Sequence, residues 1–535
     1  MSAEAAADAP RAEQPWQRLD KRMLLVHPIT EVVKFIPVLV GSVILGTSSG
    51  NHVWSVIPIV LIVGFALTRW FTTTYRVGST HVELRTGLLQ RKKLSVPRSR
   101  IRSVDIEADL LHRALGLAVL AIGTGQQADS GEQFKLDALD ARVVPPLRTA
   151  LLAHTADPVE RADDRDRLRE KPSGEISAPR TQAREIGHWS SAWVRYAPLS
   201  LTGFAIVAPI AGFALQYGLG EIVFRSDAVH DVEDGGVLAL TLAGFALLCT
   251  IVFVVSAAAC AHYLTTYFGL RVRDDGKTLQ LRHGLFTTRQ ITLDRARLRG
   301  ATVNEPLLLR LAGGAELEAI MTGEKPRQKI LPQAPRSAVE HTLGHLLAPD
   351  EVRDDALPVR PDARPTGAGA SDPHAAPEPG SAPLVAHGPA ARRRRYTRTL
   401  APVVLIAAVP ACFHLAGEHY SLWWWLVPGL LLPVALALAE DRYRGLGHAV
   451  LPRTATSPTW LITRAGSLDR ERDCLEAPGL IGWTVRRTFF QRRAGVATVV
   501  AATAAGKKRY AVVDLPVDEA WHIIEAVTPG LPGTR

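Results

Sequence analysis

Arginines recur at fixed places in this chain. Arg98, Arg100 and Arg102 follow Pro97 at alternate positions, and Arg295, Arg297 and Arg299 follow Asp294 in the same way. On a strand, alternate residues share one face. Each set then offers three guanidiniums to a lipid headgroup or an acidic partner, and a basic group near an anionic leaflet contributes about 1 kcal/mol. A solvated charged face is the competing reading. A second set, Arg113, Arg310 and Arg492, stands three residues before Gly116, Gly313 and Gly495. An arginine there can take an anion bidentately, or brace its domain through carbonyls or a carboxylate. Bracing is the better reading. The third copy has Gly479 and Ile481 where the first has Arg100 and Arg102, yet it keeps Arg492. The three glycines read as turn positions that require positive φ.

Other chemistry finds no support. The chain has no HExxH or CxxC spacing and no clustered Cys/His set, so no catalytic residue, metal or cofactor is expected. Gly123-Thr124-Gly125-Gln126-Gln127-Ala128 runs into Asp129-Ser130-Gly131-Glu132, a hairpin loop and not the helix that a dinucleotide site needs. Gly506-Lys507-Lys508 lacks the Gly-rich loop of a phosphate-binding P-loop. His81 and Glu83 share a strand face, which for a lone pair means surface more often than metal. Cys249, Cys260 and Cys412 lie in apolar runs and Cys474 in the third copy, which suggests buried thiols.

The elements that carry these residues repeat. Gly87-Leu88-Leu89 onward lies without a gap on Gly284-Leu285-Phe286 onward, and on Gly466-Ser467-Leu468 onward. One register holds for about thirty residues, the mark of an internal repeat. Each copy follows a long run without Lys, Arg, Asp or Glu. Spans are expected near 31–48 and 52–69, from Tyr196 to Gly220, from Val237 to Leu270, from Thr399 to Gly417, and from Tyr420 to Ala439. About 20 apolar residues cross a bilayer. The first hairpin could instead be re-entrant. Net charge is +10. The flanks at Arg69, Arg76, Arg85, Arg271, Arg273, Arg392 to Arg395, Arg442 and Arg444 place both ends and all soluble regions in the cytoplasm.

The expected layout is a polar segment (1–30), hairpin one (31–69), domain one (70–155) and a charged linker (156–192). Hairpin two (193–266), domain two (267–348) and a Pro/Ala-rich linker (349–395) follow. Hairpin three (396–440) and a divergent domain three (441–530) end the series. Within each domain, period-two strands surround Gly78-Ser79, Asp275-Gly276 or Gly466. A strand and a short helix close it, and Ala520, Ile523, Ile524 and Val527 share one helix face. The linkers at Ala156–Glu185 and Asp350–Ala391 read as disordered.

Thr73-Thr74-Tyr75 or Thr265-Thr266-Tyr267 after a membrane hairpin, then the Gly-Leu step and Pro97-Arg98-Ser99-Arg100-Ile101, resembles the bacterial pleckstrin-homology-like, membrane-flanked domain proteins. The third copy keeps only Tyr443 of the tyrosine motif. The resemblance implies an α+β membrane protein with three transmembrane helical hairpins. Each would be followed by a small antiparallel PH-like β-barrel of seven strands capped by a C-terminal helix. It implies no catalytic residues. The expected protein is a multi-pass cell-membrane scaffold or binding protein, tied by association to envelope assembly or stress tolerance. Its partners would be membrane lipids, with other membrane proteins or self-association, and no nucleic acid. A transporter or export accessory subunit formed by six spans is the alternative. The absence of charged residues inside the spans counts against an ion-coupled carrier.

Overall fold

In the computed structural model, the described residues are 16–24, 26, 60, 64, 71–78, 80–86, 92–101, 103–123, 134–152, 184–200, 202–216, 236–323, 327–348, 379–416, 423–455 and 457–530. Nearly all of the expected first hairpin, Arg102, the Gly-rich loop at 124–133 and most of both linkers lie outside them. The fold mixes antiparallel sheets with apolar helices, divided between two units. One comprises Met1–Arg184 and Phe268–Arg295, the other Glu185–Tyr267 and Ala296–Arg535.

In the first unit, β1 (Gln17–Arg18), β2 (Thr74–Val77), β3 (His81–Thr86) and β4 (Lys92–Pro97) form one antiparallel sheet in that order. β5 (Ser103–Ala108), β6 (Leu117–Gly123) and β7 (Phe134–Asp140) belong to another, with helix α1 (Leu110–Ala114) between β5 and β6. The two sheets share one core. Val82 and Val96 meet Ile101, Val104, Leu120 and Leu136, with Leu151 added from helix α2 (Val144–Leu152). Strand alternation makes this possible. Along β6, Leu120 and Ile122 are buried while Val119 and Ala121 between and beside them are less so. Leu117 and Ala118 at the start of the strand are both buried.

The second sheet does not stop at its own repeat. β5 pairs along its free side with β11 (Thr288–Asp294) of the next repeat, which continues into β10 (Thr278–His283) and β9 (Arg271–Asp274). β4 and β5 lie in different sheets, so the first domain is a pair of packed sheets. β8 (Arg184–His188) falls at the division between the units.

The second unit contains the long apolar helices. A 3₁₀ segment at Ser191–Leu199 and helix α3 (Thr202–Gln216) meet at a bend of 57°. Helix α4 (Gly236–Tyr267) has 32 residues and is apolar all round, with Val237, Leu238 and Phe253 exposed on its surface. Such a helix is stable in lipid or in a large core. α7 (Gly388–Leu415) and α8 (Trp423–Arg444) pack antiparallel, with Arg392 3.2 Å from Glu440. Among the described residues three helices are long and apolar enough to cross a membrane, or four if the bent pair is one span.

The same sheet-to-sheet joint recurs here. β12 (Leu298–Pro306), β13 (Gly314–Met321) and β14 (Arg327–Pro335) pair through β12 with β17 (Asp469–Glu476), followed by β16 (Trp460–Gly466) and β15 (Gly447–Leu451). Helices α5 (Leu307–Leu311) and α6 (Arg336–Leu347) follow β12 and β14, as α1 and α2 follow β5 and β7. The last sheet holds β18 (Leu480–Arg486), β19 (Val496–Thr503) and β20 (Arg509–Pro516), with α9 (Phe489–Arg493) after β18. It shares a core with β16 and β17, closed by α10 (Val517–Val527), whose buried residues are Ala520, Ile523, Ile524 and Val527.

Three expectations are corrected. Arg98–Arg100 and Arg295–Arg297 are 3₁₀ turns, not strand, so the arginine sets do not line up on single strand faces. Residues 379–391, expected to be linker, are ordered. Arg472 donates to the carbonyls of Pro379 (3.1 Å) and Ala382 (2.8 Å), and helix α7 begins at Gly388, so Arg392 to Arg395 are helical. Cys249 and Cys412 are exposed on the apolar helices, whereas Cys474 is buried.

Candidate functional site

The repeated arginines make mostly internal contacts. Arg98 Nη1 donates to the carbonyl of Gly78 at 3.4 Å, and burial lowers its pKa. Arg295, at the same place in the next repeat, pairs with Asp274 at 2.5 Å. Both arginines therefore brace the hairpin that precedes them. Arg299 pairs with Glu476 at 2.7 Å. Arg297 also has a partner, and the side chain of Arg100 lies outside the described residues, as does all of Arg102.

Arg113 and Arg310 do equivalent work at the two joints. Arg113 Nη1 donates to the carbonyl of Leu285 at 3.0 Å. Arg310 Nη1 donates to the carbonyl of Ser467 at 3.4 Å, and its Nη2 holds both carboxylate oxygens of Asp441 at 2.9 and 3.0 Å. Leu285 and Ser467 hold the same place in the repeat. Arg492 is exposed. Gly116, Gly313 and Gly495 have φ of +69°, +74° and +67°, a conformation costly for residues with a Cβ.

The arrangement with a chemical use lies nearby, in the first unit. A cavity of about 500 Å³ is lined by Arg113, Arg271, Arg273, Arg282 and His283, beside Phe268, Gly284 and Leu285. Among the described residues its lining contains no Asp or Glu. β9 alternates exposed Arg271 and Arg273 with buried Val272 and Asp274. β10 exposes Arg282, and pairing places Arg282 directly opposite Arg271. Like charges opposite one another across an antiparallel pair are unfavourable. An anion between them removes that cost and gains charge-assisted hydrogen bonds. The flank signal at Arg271 and Arg273 was visible in sequence, but the opposition to Arg282 follows only from the hairpin register.

A second basic cavity, of about 340 Å³, occurs in the other unit. Arg395, Arg398 and Arg442 line it with Thr399, Leu446, Gly466 and Val513, and again no acid among the described residues. Gly466 holds the place of Gly284 in the repeat. Arg442 Nη1 donates to Thr399 Oγ1 at 3.4 Å. This cavity lies at the charged ends of α7 and α8.

Away from these cavities, the β12–β17 joint encloses a polar network. Thr302 donates to Asp473 at 2.6 Å and Arg327 to Thr302 at 3.2 Å. Burial pushes the Asp473 carboxyl up to about 6. No group of three or more His, Cys, Asp or Glu side chains suited to a metal occurs among the described residues.

Comparison with curated proteins and with solved structures returned no match. A family model described as Bacterial PH domain matches residues 31–155 and 233–347. The third copy is outside the match, although its strands follow the same order. Over these two regions the chain belongs to the bacterial PH domain family, with the domain repeated.

Proposed function

We propose that this is a non-enzymatic multi-pass membrane protein that holds anionic lipid headgroups in basic cavities of its PH-type domains. The observation that carries the proposal is the cross-strand pair Arg271 and Arg282, placed in a cavity lined by further arginines and, among the described residues, no carboxylate. The family supports a membrane-associated or lipid-binding module. Three hairpins, six spans in all, anchor three domains on the cytoplasmic side, in keeping with arginine-rich flanks. Modules linked on one chain act at high effective concentration, so weak headgroup contacts add. The role is that of a scaffold at the inner leaflet.

The test is native mass spectrometry of the protein taken from nanodiscs of equal phosphatidylglycerol and phosphatidylcholine. Wild type is expected to retain phosphatidylglycerol preferentially. Arg271→Ala with Arg282→Ala is expected to reduce that retention at least about tenfold, since each charge-assisted contact contributes roughly 1.5–3 kcal/mol. Equal retention of both lipids by wild type removes the proposal, and unchanged preference in the variant removes this cavity from it.

A further inference from the structure

The two joints between repeats are one contact used twice. At the first, Thr288, Arg289 and Gln290 lie opposite Ala108, Glu107 and Ile106. At the second, Arg470, Glu471 and Arg472 lie opposite Glu305, Asn304 and Val303, which are the same places in the repeat. Each joint is locked by the arginine of the short helix, Arg113 or Arg310, on the turn carbonyl of the following repeat.

The last repeat carries this contact unfilled. β18 corresponds to β5 and β12, and among the described residues it pairs on one side only, with β19. Arg492 corresponds to Arg113 and Arg310, and it is exposed with no side-chain partner among the described residues. A glycine supplies an independent sign. A Cβ on Gly300 would stand 2.0 Å from the carbonyl oxygen of Cys474 in the partner strand. Gly482 holds the same place in β18, where a Cβ would meet nothing within 4 Å. The clearance is present without the strand that uses it.

We infer that the free edge of β18, with Arg492, docks the third strand of a PH-like domain on another polypeptide, one carrying an acidic residue opposite Arg486. The chemistry of the position selects the partner. Arg486 replaces Glu107 and Asn304 on this edge. The chain's own third strand β4, which among the described residues pairs only with β3, would set Lys92 against it, and like charges in that position are unfavourable. Basic residues on open edges also block edge-to-edge self-pairing. Glu471 shows that a third strand of this fold accommodates an acid at the required place, but β17 is already paired with β12.

A Lys92→Glu version of the full chain supplies such a third strand and serves as the probe. Mass photometry of the protein in detergent is expected to show single chains for wild type at all concentrations. Lys92→Glu is expected to join head to tail as concentration rises. Adding Arg486→Glu restores like charge and returns single chains. Adding Gly482→Val blocks the approaching strand with no change in thermal stability, and adding Arg492→Ala weakens association at least about tenfold, the loss of one charged hydrogen bond. Association of wild type equal to that of Lys92→Glu, failure of Lys92→Glu to associate, or association indifferent to Arg486→Glu and Gly482→Val overturns the inference.

Discussion

Replacing Asp514 with alanine is expected to destabilise the third domain by about 3–5 kcal/mol, the range for removing one partner of a buried ion pair. The Asp514 side chain is fully buried. It accepts from Arg394 Nε and Gln491 Nε2, each at 2.8 Å, and lies 3.0 Å from Arg395 Nη2. Its backbone has φ of +60°, which aspartate tolerates better than alanine. Arg394 and Arg395 belong to α7, so this carboxylate ties an apolar helix to the domain beyond it. The check is the urea midpoint of the detergent-solubilised protein, followed by hydrogen exchange over β20. In an Arg394→Met, Arg395→Met background the cost of Asp514→Ala should shrink, because the stranded charges are gone. A loss below about 1 kcal/mol would contradict the assignment.

Gly300→Ala is expected to cost on the order of 3 kcal/mol, combining strained backbone with a clash against a neighbouring strand. Gly300 has φ of +150° and sits at a register shift in β12. Its added Cβ would meet the Cys474 carbonyl oxygen, so the expected damage is local to the β12–β17 joint. Hydrogen exchange should accelerate in β12 and β17 while β19 and β20 stay protected. Uniform acceleration across all strands would instead mean that the joint is not a separable contact.

These two residues mark what the sequence could not say. Period-two alternation locates strands such as β6 and β19, and the face of α10 follows from the spacing of Ala520, Ile523, Ile524 and Val527. Such patterns report burial of side chains. The pairing of β5 with β11 and of β12 with β17 is made by backbone groups at strand edges, which leave no periodic trace. The contact of Asp514 with Arg394 spans 120 residues, and neither neighbourhood announces it. The arginine turns were nearer to reach. Ala477-Pro478-Gly479 occupies the same place in the third copy, and proline followed by glycine is a turn signal. The opposition of Arg271 and Arg282 was not legible: a two-residue turn at Asp275-Gly276 would set Arg271 against Gln280, whereas the hairpin turns at Gly276-Lys277 and sets it against Arg282.

Sidedness is the most direct test of the proposal that the domains meet the inner leaflet. Lys135→Cys and His522→Cys, introduced singly into a chain without its native cysteines, each place a thiol at an exposed position of a different unit. A membrane-impermeant maleimide is expected to leave both unlabelled in intact cells and to label both after permeabilisation. Labelling of either thiol in intact cells would put that domain outside and contradict the cytoplasmic placement.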